Sequence, residues 1–496
     1  MTKTIATAYF LLIVCAAGVR ADDKPDNELP ARVASHHGIM LGEVRLDYEA
    51  VTETLPVIDA KGATTASIFT TSYIADAGTG NQRPVSFVFN GGPGAASVFL
   101  HLGALGPRIM ETPENGAVPG PPVRLVDNPA TWLGFTDLVF IDPVGTGFSR
   151  GKGKEENPDK PFWDVRADIA SLGTVIRLWL TRHQRWNSPV FLVGESYGGF
   201  RAAAMAQSLP QDVDVTVRGL VLISPALDLS TLHQTERDLL AAAFVLPSYA
   251  STAAAYGAVA SGGDIAPVER FALSDYLVGL AGLKGQLSPS DPLIARVAEI
   301  VGVPEEIVRR HRGRIPRRVF AREIRRGQGE VVSLYDGTIA RPSGPESGEG
   351  AGDPVLQPAV AAYGAAFNAY AADALGYRTD QPYRVLSPEV SRQWNWQGDR
   401  RGDGLGLAMS SLETALLQHP ATKVLIANGR YDLVTPYLSS RWLVDQLGVP
   451  PGLRAGIRLR VYEGGHMMYM RPDSRLLLAR DAAELYGAPN AAAPSQ

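Results

Sequence analysis

In the first half of the chain, short apolar runs that end in glycine- or proline-containing turns alternate with a longer segment of helical periodicity. Asp164–His183 has apolar residues at helical spacing with polar residues between them, which predicts an amphipathic helix. Apolar runs of four or five residues predict strands on either side of it: Val85–Phe89, Leu138–Asp142, Val190–Val193 and Leu220–Ile223. Strands that alternate with helices form a mostly parallel sheet with helices on both faces, so we predict an α/β fold.

The pattern changes between residues 229 and 386, where helical runs rich in Ala, Leu and Arg replace the alternation. Strand-like runs resume at Lys423–Ala427 and Ile457–Tyr462. A helical insertion between two parts of one sheet fits this order better than three domains in series. We therefore predict a first core part (22–228), a largely helical cap insertion (229–386), a second core part (387–487) and a disordered tail (488–496).

The first 21 residues have the composition of a secretory signal peptide. Lys3 gives a positive start, Ile5–Val19 is apolar, and Val19-Arg20-Ala21 offers small residues at a cleavage site. Because the apolar run is short for a membrane span, we predict a cleaved leader (1–21), export, and no stable membrane insertion afterwards. A buried N-terminal helix and a lipoprotein acylated at Cys15 are alternatives, although Val14 stands where a lipoprotein signal usually has Gly or Ala.

Charge and cysteine content exclude several classes of function. The 496 residues carry 47 Lys and Arg against 51 Asp and Glu, so there is no electrostatic case for a nucleic-acid partner. Cys15 is the only cysteine and lies in the predicted leader, so a mature chain would contain no disulfide. No Cys/His spacing typical of zinc occurs, and we predict neither a metal nor a cofactor. We expect a periplasmic or secreted bacterial protein, of unknown oligomeric state.

The strongest chemical signal is Gly194-Glu195-Ser196-Tyr197-Gly198. A lone Gly-x-Ser-x-Gly is weak evidence, but here an apolar strand comes directly before it and an Ala-rich helical run directly after it. This context is typical of the nucleophile elbow, a tight strand-to-helix turn that lifts the serine oxygen above the sheet. Glycine is needed because larger side chains would collide with neighbouring backbone. An ordinary glycine turn is the alternative.

A serine hydroxyl becomes a good nucleophile only when a base takes its proton. In folds of this kind the acid and the histidine follow the serine in that order, each after a later strand. Asp432 follows the predicted strand Lys423–Ala427, and His466 follows the strand that ends at Tyr462. The other seven histidines lack this setting. We therefore predict that His466 is the base and that Asp432 holds its tautomer and stabilises the imidazolium.

A tetrahedral intermediate needs hydrogen-bond donors for its oxyanion. The backbone N–H of Tyr197, directly after the serine, is one candidate. The glycine-rich turn Asn90–Gly94 follows an early strand and is the expected place of the other. A phosphate-binding loop is a competing interpretation of this turn, but no Lys-Ser/Thr pair follows it.

These segments together resemble the serine carboxypeptidase family of α/β-hydrolases, in a bacterial-type member. The resemblance implies an α/β-hydrolase fold whose cap shapes the substrate pocket. The motifs that carry it span most of the mature chain: Asn-Gly-Gly-Pro-Gly at Asn90–Gly94, Asp-Pro-Val-Gly-Thr-Gly-Phe-Ser at Asp142–Ser149, Gly-Glu-Ser-Tyr-Gly-Gly at Gly194–Gly199, the Asp432 segment, and Gly-His-Met at Gly465–Met467.

The resemblance also implies a role for each site residue. It implies a catalytic triad of Ser196 as nucleophile, Asp432 as acid and His466 as base. It implies an oxyanion hole formed by the backbone of Gly92 and Tyr197. It also implies that Asn90 and Glu195 bind the C-terminal carboxylate of the substrate. The implied partners are peptides with a free C-terminal carboxylate.

The assignment of Glu195 has a physical consequence. Two ionised carboxylates cannot share a hydrogen bond, so Glu195 would have to be protonated to donate to a substrate carboxylate. We therefore expect better peptide binding at acid pH. The alternative is a glutamate that merely completes the turn.

The chain departs from the family pattern at three positions. Val88 stands where the family usually has a tryptophan, Ala104 where it usually has a second glutamate, and Ala95 where a cysteine is common. The first two changes remove parts of the carboxylate-recognition network. We predict an exported serine carboxypeptidase, with a serine esterase or acyltransferase on the same scaffold as the runner-up. A catalytically silent binding protein is a third class, which failure of Ser196 to react with an organophosphonate would support.

Overall fold

The computed structural model describes residues 29–76, 82–232, 237–259, 264–284, 291–344, 352–396 and 406–488. The predicted leader (1–21) and residues 489–496 of the predicted tail lie outside the described residues, and both stay predictions.

The sheet at the centre of the molecule has ten strands among the described residues. Their order is β1-β2-β3-β7-β4-β9-β10-β13-β14, with the short β8 paired to β3. Strands β7, β4, β9, β10, β13 and β14 run parallel to one another, whereas β1, β2 and β3 form an antiparallel edge that joins them through the antiparallel pair of β3 with β7. The strands are β1 (Arg32–Leu41), β2 (Val44–Ile58), β3 (Thr64–Ala75), β4 (Val85–Phe89), β5 (Arg108–Met110), β6 (Leu125–Asp127), β7 (Asp137–Ile141), β8 (Arg150–Gly151), β9 (Val190–Glu195), β10 (Val217–Ile223), β11 (Glu330–Val332), β12 (Ala340–Pro342), β13 (Lys423–Gly429) and β14 (Ile457–Tyr462).

Helices cover both faces of this sheet. Among the described residues, no helix is both long enough and apolar enough to span a bilayer. The helices are α1 (Val98–Leu100), α2 (Val165–Arg182), α3 (Tyr197–Asp212), α4 (Leu239–Ala255), α5 (Ala266–Phe271), α6 (Leu277–Gly282), α7 (Pro292–Val301), α8 (Glu305–Arg310), α9 (Arg317–Glu323), α10 (Leu356–Asp373), α11 (Pro388–Gln393), α12 (Leu407–Gln418), α13 (Tyr437–Gln446), α14 (Pro451–Ala455) and α15 (Pro472–Tyr486).

The central strands are apolar along their whole length because both of their faces are buried. In β7, Leu138 and Phe140 join one apolar cluster, whereas Val139 and Ile141 join another. Successive side chains of a strand point to opposite faces, so the two clusters lie on the two sides of the sheet. The predicted α/β-hydrolase fold, with a mostly parallel sheet between helical layers, is confirmed.

The antiparallel edge formed by β1, β2 and β3 is absent from the sequence prediction. Strands β2 and β3 carry many threonines among their apolar residues, so they lack the short apolar runs that mark the central strands. They are nevertheless 15 and 12 residues long and pair in register from Tyr48 with Ala75 to Val57 with Ala66. The edge extends the sheet beyond β7, so that β7 lies in the interior of the sheet and the parallel strand β14 forms its opposite edge.

The residues predicted as a cap insertion pack in two places. Helices α4, α7 and α9 contribute Phe244, Ile294 and Phe320 to a third apolar cluster. Helix α10 instead contributes Tyr363 and Phe367 to one of the two clusters that cover the sheet. The predicted domain boundaries at residues 229 and 386 stay a prediction.

A buried ion pair joins α2 to α3. Asp168 and Arg201 are both buried, and Arg201 Nε donates to Asp168 Oδ2 at 2.6 Å. Arg201 Nη1 also donates to the backbone carbonyl of Asn90, at 2.6 Å, directly after β4. The guanidinium lies 4.7 Å from the centroid of the Tyr197 ring. The pair therefore connects two helices to the strand end that carries the glycine-rich turn.

We predict that Asp168→Ala lowers the free energy of unfolding by about 3–5 kcal/mol, because it leaves the Arg201 charge buried and unpaired. Urea unfolding followed by tryptophan fluorescence measures the loss. Glu299→Ala is the control, since it breaks the exposed pair between Arg296 and Glu299 and should cost less than about 1 kcal/mol. Equal losses in the two variants would contradict the prediction.

Candidate active site

Ser196 lies in the sharp turn between β9 and α3. Its backbone has φ 59° and ψ −123°, a left-handed conformation that is rare for a residue with a side chain. A Cβ at Gly194 would collide with the carbonyl of Gly198, and one at Gly198 would collide with the carbonyl of Phe89. The turn is therefore too tight for side chains at its two glycines, as expected for a nucleophile elbow.

Asp432 follows β13 and is completely buried. Its Oδ1 accepts hydrogen bonds from the N–H groups of Val434 and Thr435, at 2.7 and 2.9 Å. Its Oδ2 accepts from the Thr435 hydroxyl at 2.7 Å and lies 2.8 Å from Nδ1 of His466. Four donors therefore fix this carboxylate against the imidazole.

His466 follows β14 and is held by its backbone as well as by its ring. Its N–H donates to the carbonyl of Tyr335, and its carbonyl accepts from the Ser224 hydroxyl at 2.8 Å. The Tyr335 ring meets the imidazole edge to face, with centroids 5.1 Å apart. The hydrogen bond to Asp432 holds a proton on Nδ1, which leaves Nε2 as the basic nitrogen.

The charges of Asp432 and His466 stabilise each other. Burial alone would raise the pKa of Asp432, but His466 and the hydrogen bonds from His466 and Thr435 outweigh burial and hold that pKa below its ordinary value. Burial would lower the pKa of His466, but the charge and hydrogen bond of Asp432 raise it above its ordinary value. The pair can thus stabilise an imidazolium.

Ser196 and His466 are both hydrogen-bonded to the end of β10. The Ser196 N–H donates to the carbonyl of Ile223 at 2.9 Å, and the next residue, Ser224, holds His466. Among the described residues, neither Ser196 Oγ nor His466 Nε2 has a hydrogen-bond partner. Catalytic hydrogen bonds often form only when substrate is bound. The structure therefore brings Asp432 and His466 into contact, and the assignment of the triad stays a prediction.

The predicted oxyanion hole lies where the turn after β4 meets the start of α3. A Cβ on Gly91 would lie 2.5 Å from the Tyr197 nitrogen, so the turn passes directly against that N–H. Tyr197 is the first residue of α3, and the first N–H groups of a helix have no partner within the helix. Gly92 has φ +101°, which favours glycine. Their role as oxyanion donors stays a prediction.

Asn90 and Glu195, the predicted carboxylate-binding pair, are hydrogen-bonded to each other. Asn90 Nδ2 donates to Glu195 Oε2 at 2.6 Å, and Asn90 Oδ1 accepts from the Leu100 N–H at 2.9 Å. Glu195 is 3% exposed. Burial raises its pKa to about 7, against the opposing effects of His466 and of two hydrogen bonds. The buried carboxyl group therefore keeps its proton to a higher pH than an exposed glutamate does.

Several residues of the site were absent from the sequence prediction. Thr435 binds Asp432, and its position three residues downstream in the loop was a readable signal, because side chains often cap such turns. Tyr335 contacts His466 from more than 100 residues away in the chain. Tyr469 donates to Glu195 Oε2 at 2.7 Å from a single helical turn, Met468–Met470. The last two contacts had no local sequence signal.

The positions that depart from the family pattern are buried. Val88 lies in β4 and is fully buried, Ala104 is 1% exposed, and Ala95 is also buried. None of these three side chains carries a polar group. They contribute packing and no hydrogen bond to the site.

Residues 59–248 match the family model described as serine carboxypeptidase. The matched segment includes Asn90, Gly92, Glu195 and Ser196, and it ends before Asp432 and His466. The part of the resemblance that covers the first half of the chain is thus supported by an independent comparison.

Three curated relatives each match between a quarter and a third of the chain. Serine carboxypeptidase-like 8 of Arabidopsis thaliana is 26% identical over 155 residues, 29% of this chain and 33% of the relative. Serine carboxypeptidase-like 51 of the same plant is 31% identical over 133 residues, 25% of each chain. The lysosomal protective protein of Mus musculus is 28% identical over 147 residues, 28% of this chain and 27% of the relative. The matches span about a third or less of these relatives.

One similar solved structure is the peroxisomal α/β-hydrolase Lpx1 of Saccharomyces cerevisiae. Its alignment with this chain covers 94% of this chain and 90% of the Lpx1 chain, with 11% sequence identity and a TM-score of 0.36.

The curated relatives described above come from a plant and a mouse, so they give no support to the bacterial-type part of the prediction. The sequence comparisons show that part of this chain is similar to serine carboxypeptidases.

Proposed function

We propose that this protein is a serine carboxypeptidase that removes C-terminal residues from peptides through an acyl-enzyme on Ser196. The observation that carries the proposal is a buried Glu195 carboxyl, hydrogen-bonded to Asn90 and directly adjacent to the nucleophile elbow. A neutral carboxyl group there would donate a hydrogen bond to the free carboxylate of a peptide. It would also select substrates that end one residue beyond the reacting carbonyl.

The reaction would follow the chemistry of serine hydrolases. Ser196 Oγ attacks the peptide carbonyl while His466 Nε2 takes its proton, and Asp432 stabilises the resulting imidazolium. Backbone N–H groups of Gly92 and Tyr197 donate to the oxyanion. The C–N bond breaks as the imidazolium protonates the leaving amine. Water then attacks the ester with His466 again as base, which releases the shortened peptide and restores the serine.

A serine esterase or acyltransferase on the same scaffold is the second candidate. The observation in its favour is that Val88 and Ala104 are buried and apolar, so they add no polar group to the carboxylate-binding site. An enzyme of this kind would use the same triad and oxyanion donors. It would not depend on a free carboxylate at the end of its substrate.

Export is a further part of the proposal. The leader predicted at residues 1–21 would direct the chain to the periplasm or outside a bacterial cell, and the mature protein would lack Cys15. Lys3 near the start, the apolar run Ile5–Val19 and the small residues at the cleavage site support export.

We predict that the protein releases a free C-terminal amino acid from an N-blocked dipeptide and that Ser196→Ala abolishes this release. With the C-terminal amide of the same dipeptide, kcat/KM should fall by about 10- to 100-fold, because the hydrogen bond to a charged carboxylate is lost. Release is followed by amine detection. An esterase would process a matched ester while showing no preference for the free acid, and that result would contradict the carboxypeptidase assignment.

The pKa directions predict a bell-shaped pH profile for free-acid peptides. His466 must be neutral to act as base, so kcat/KM should rise as the pH rises through its pKa, which lies above the ordinary value of 6.5. Glu195 must be protonated, so kcat/KM should fall as the pH rises through about 7. An ester without a free carboxylate should show only the rising limb.

Glu195→Gln is the control for the falling limb. The amide stays neutral at every pH, so this variant should keep the rising limb and lose the falling one. A wild-type profile for free-acid peptides that has no falling limb, and so keeps the shape of the ester profile, would contradict the role of Glu195.

We predict that protein exported by a bacterial host begins at Asp22. Intact-mass analysis of the exported protein checks this start, and Ala21→Leu should block cleavage because the site needs a small residue. A mass that corresponds to a lipid-modified chain beginning at Cys15 would instead identify a lipoprotein.

A further inference from the structure

Two donors bind the same oxygen of the Glu195 carboxyl group. Asn90 Nδ2 lies 2.6 Å and the Tyr469 hydroxyl 2.7 Å from Oε2. Among the described residues, none donates a hydrogen bond to Oε1. A carboxyl oxygen that already accepts two hydrogen bonds is a poor site for a proton. The proton of the neutral acid therefore belongs on Oε1.

Neither donor is free to turn away. The Asn90 carboxamide is fixed at its other end, because its Oδ1 accepts from the Leu100 N–H at 2.9 Å. The Tyr469 side chain is completely buried, and a Cβ on Gly103 would lie 3.0 Å from Cε2 of its ring. The Tyr469 carbonyl also accepts from Arg475 Nη1 at 3.0 Å. Both donors thus keep their direction whether or not Glu195 carries a proton.

We propose that Tyr469 is a positioning residue whose hydroxyl, together with Asn90, directs the Glu195 proton to Oε1 and sets the pH at which that proton is lost. The substrate side of this inference rests on the proposed function, since Oε1 would be the atom that donates to the peptide carboxylate. The effect on Glu195 itself does not depend on the substrate. A phenol that donates to a carboxylate favours the ionised form and opposes the effect of burial.

The other ionisable groups around Glu195 and Tyr469 come from five parts of the chain. His466 and Asp432 follow β14 and β13 and act on Glu195 with opposite sign. Tyr335 and Tyr363 approach it from the loop after β11 and from α10, and burial raises the pKa of both phenols far above neutral pH. Arg475 of α15 faces Tyr469 and Tyr363. Removing the Tyr469 hydroxyl leaves all of these groups in place.

The test compares Tyr469→Phe with Tyr363→Phe. Tyr363 is an equally buried tyrosine whose ring also packs on Gly103, and its hydroxyl has no hydrogen-bond partner among the described residues. Both variants lose one buried hydroxyl and keep an aromatic ring. Only Tyr469→Phe loses a hydrogen bond to Glu195.

The first measurement is an infrared pH titration of the protonated-carboxyl band, assigned to Glu195 by its absence in Glu195→Gln. In Tyr469→Phe the midpoint should rise by about one pH unit, the size expected for one hydrogen bond to a charged group. In Tyr363→Phe it should stay at the wild-type value. An unchanged midpoint in Tyr469→Phe, or an equal rise in both variants, overturns the inference.

The second measurement separates this inference from the proposed function. In Tyr469→Phe, the falling limb of kcat/KM for a free-acid dipeptide should move up with the infrared midpoint, whereas the profile for an ester should keep its shape. A merely structural tyrosine would lower kcat/KM equally at every pH, and that result counts against the inference. If the infrared midpoint rises while the wild type cleaves no free-acid peptide, the role of Tyr469 stands and the carboxypeptidase proposal fails.

Discussion

The arrangement of the site depends on one close backbone contact, in which the turn after β9 packs against the end of β4. A side chain at Gly198 would collide with the carbonyl of Phe89, and one at Gly91 would collide with the Tyr197 nitrogen, so the two strand ends approach as closely as backbone allows. This contact puts Ser196 in its strained conformation and brings the Tyr197 N–H against the glycine-rich turn. The same approach lets Asn90 reach Glu195. One steric constraint therefore positions the predicted nucleophile, the predicted oxyanion donors and the buried carboxyl group.

Two buried carboxyl groups at this edge of the sheet have opposite protonation behaviour, and their hydrogen bonds explain why. Asp432 accepts from two backbone N–H groups, a hydroxyl and an imidazole, and these donors outweigh the cost of burying its charge. Glu195 accepts only from Asn90 and Tyr469 among the described residues, so burial dominates and its pKa rises to about 7. Environments that push two pKa values apart allow one carboxyl group to act as an anion and the other as an acid.

The sequence predicted the parts of the molecule that depend on local pattern. Strands β4, β7, β9, β10 and β13 were readable because both of their faces are buried, and the order of Ser196, Asp432 and His466 followed from the strands before them. Strand β14 lies at the edge of the sheet, and its exposed Arg458 and Arg460 alternate with less exposed apolar residues. The antiparallel edge escaped prediction because its strands mix threonine with apolar residues. Tyr335 and Tyr469 escaped because their contacts are set by tertiary packing, and neither spacing nor composition encodes a partner that folding brings close.

The family pattern implies a second glutamate in the carboxylate-binding site, where this chain has Ala104. A second carboxyl group near Glu195 would raise its pKa, since two neighbouring carboxylates resist ionising together. Ala104 cannot do this, and the Tyr469 hydroxyl stabilises the ionised form instead. Burial is then the main force that keeps Glu195 protonated near neutral pH. A site built this way should release its proton at a lower pH than one with a carboxyl pair, and a single hydroxyl should be enough to move that pH.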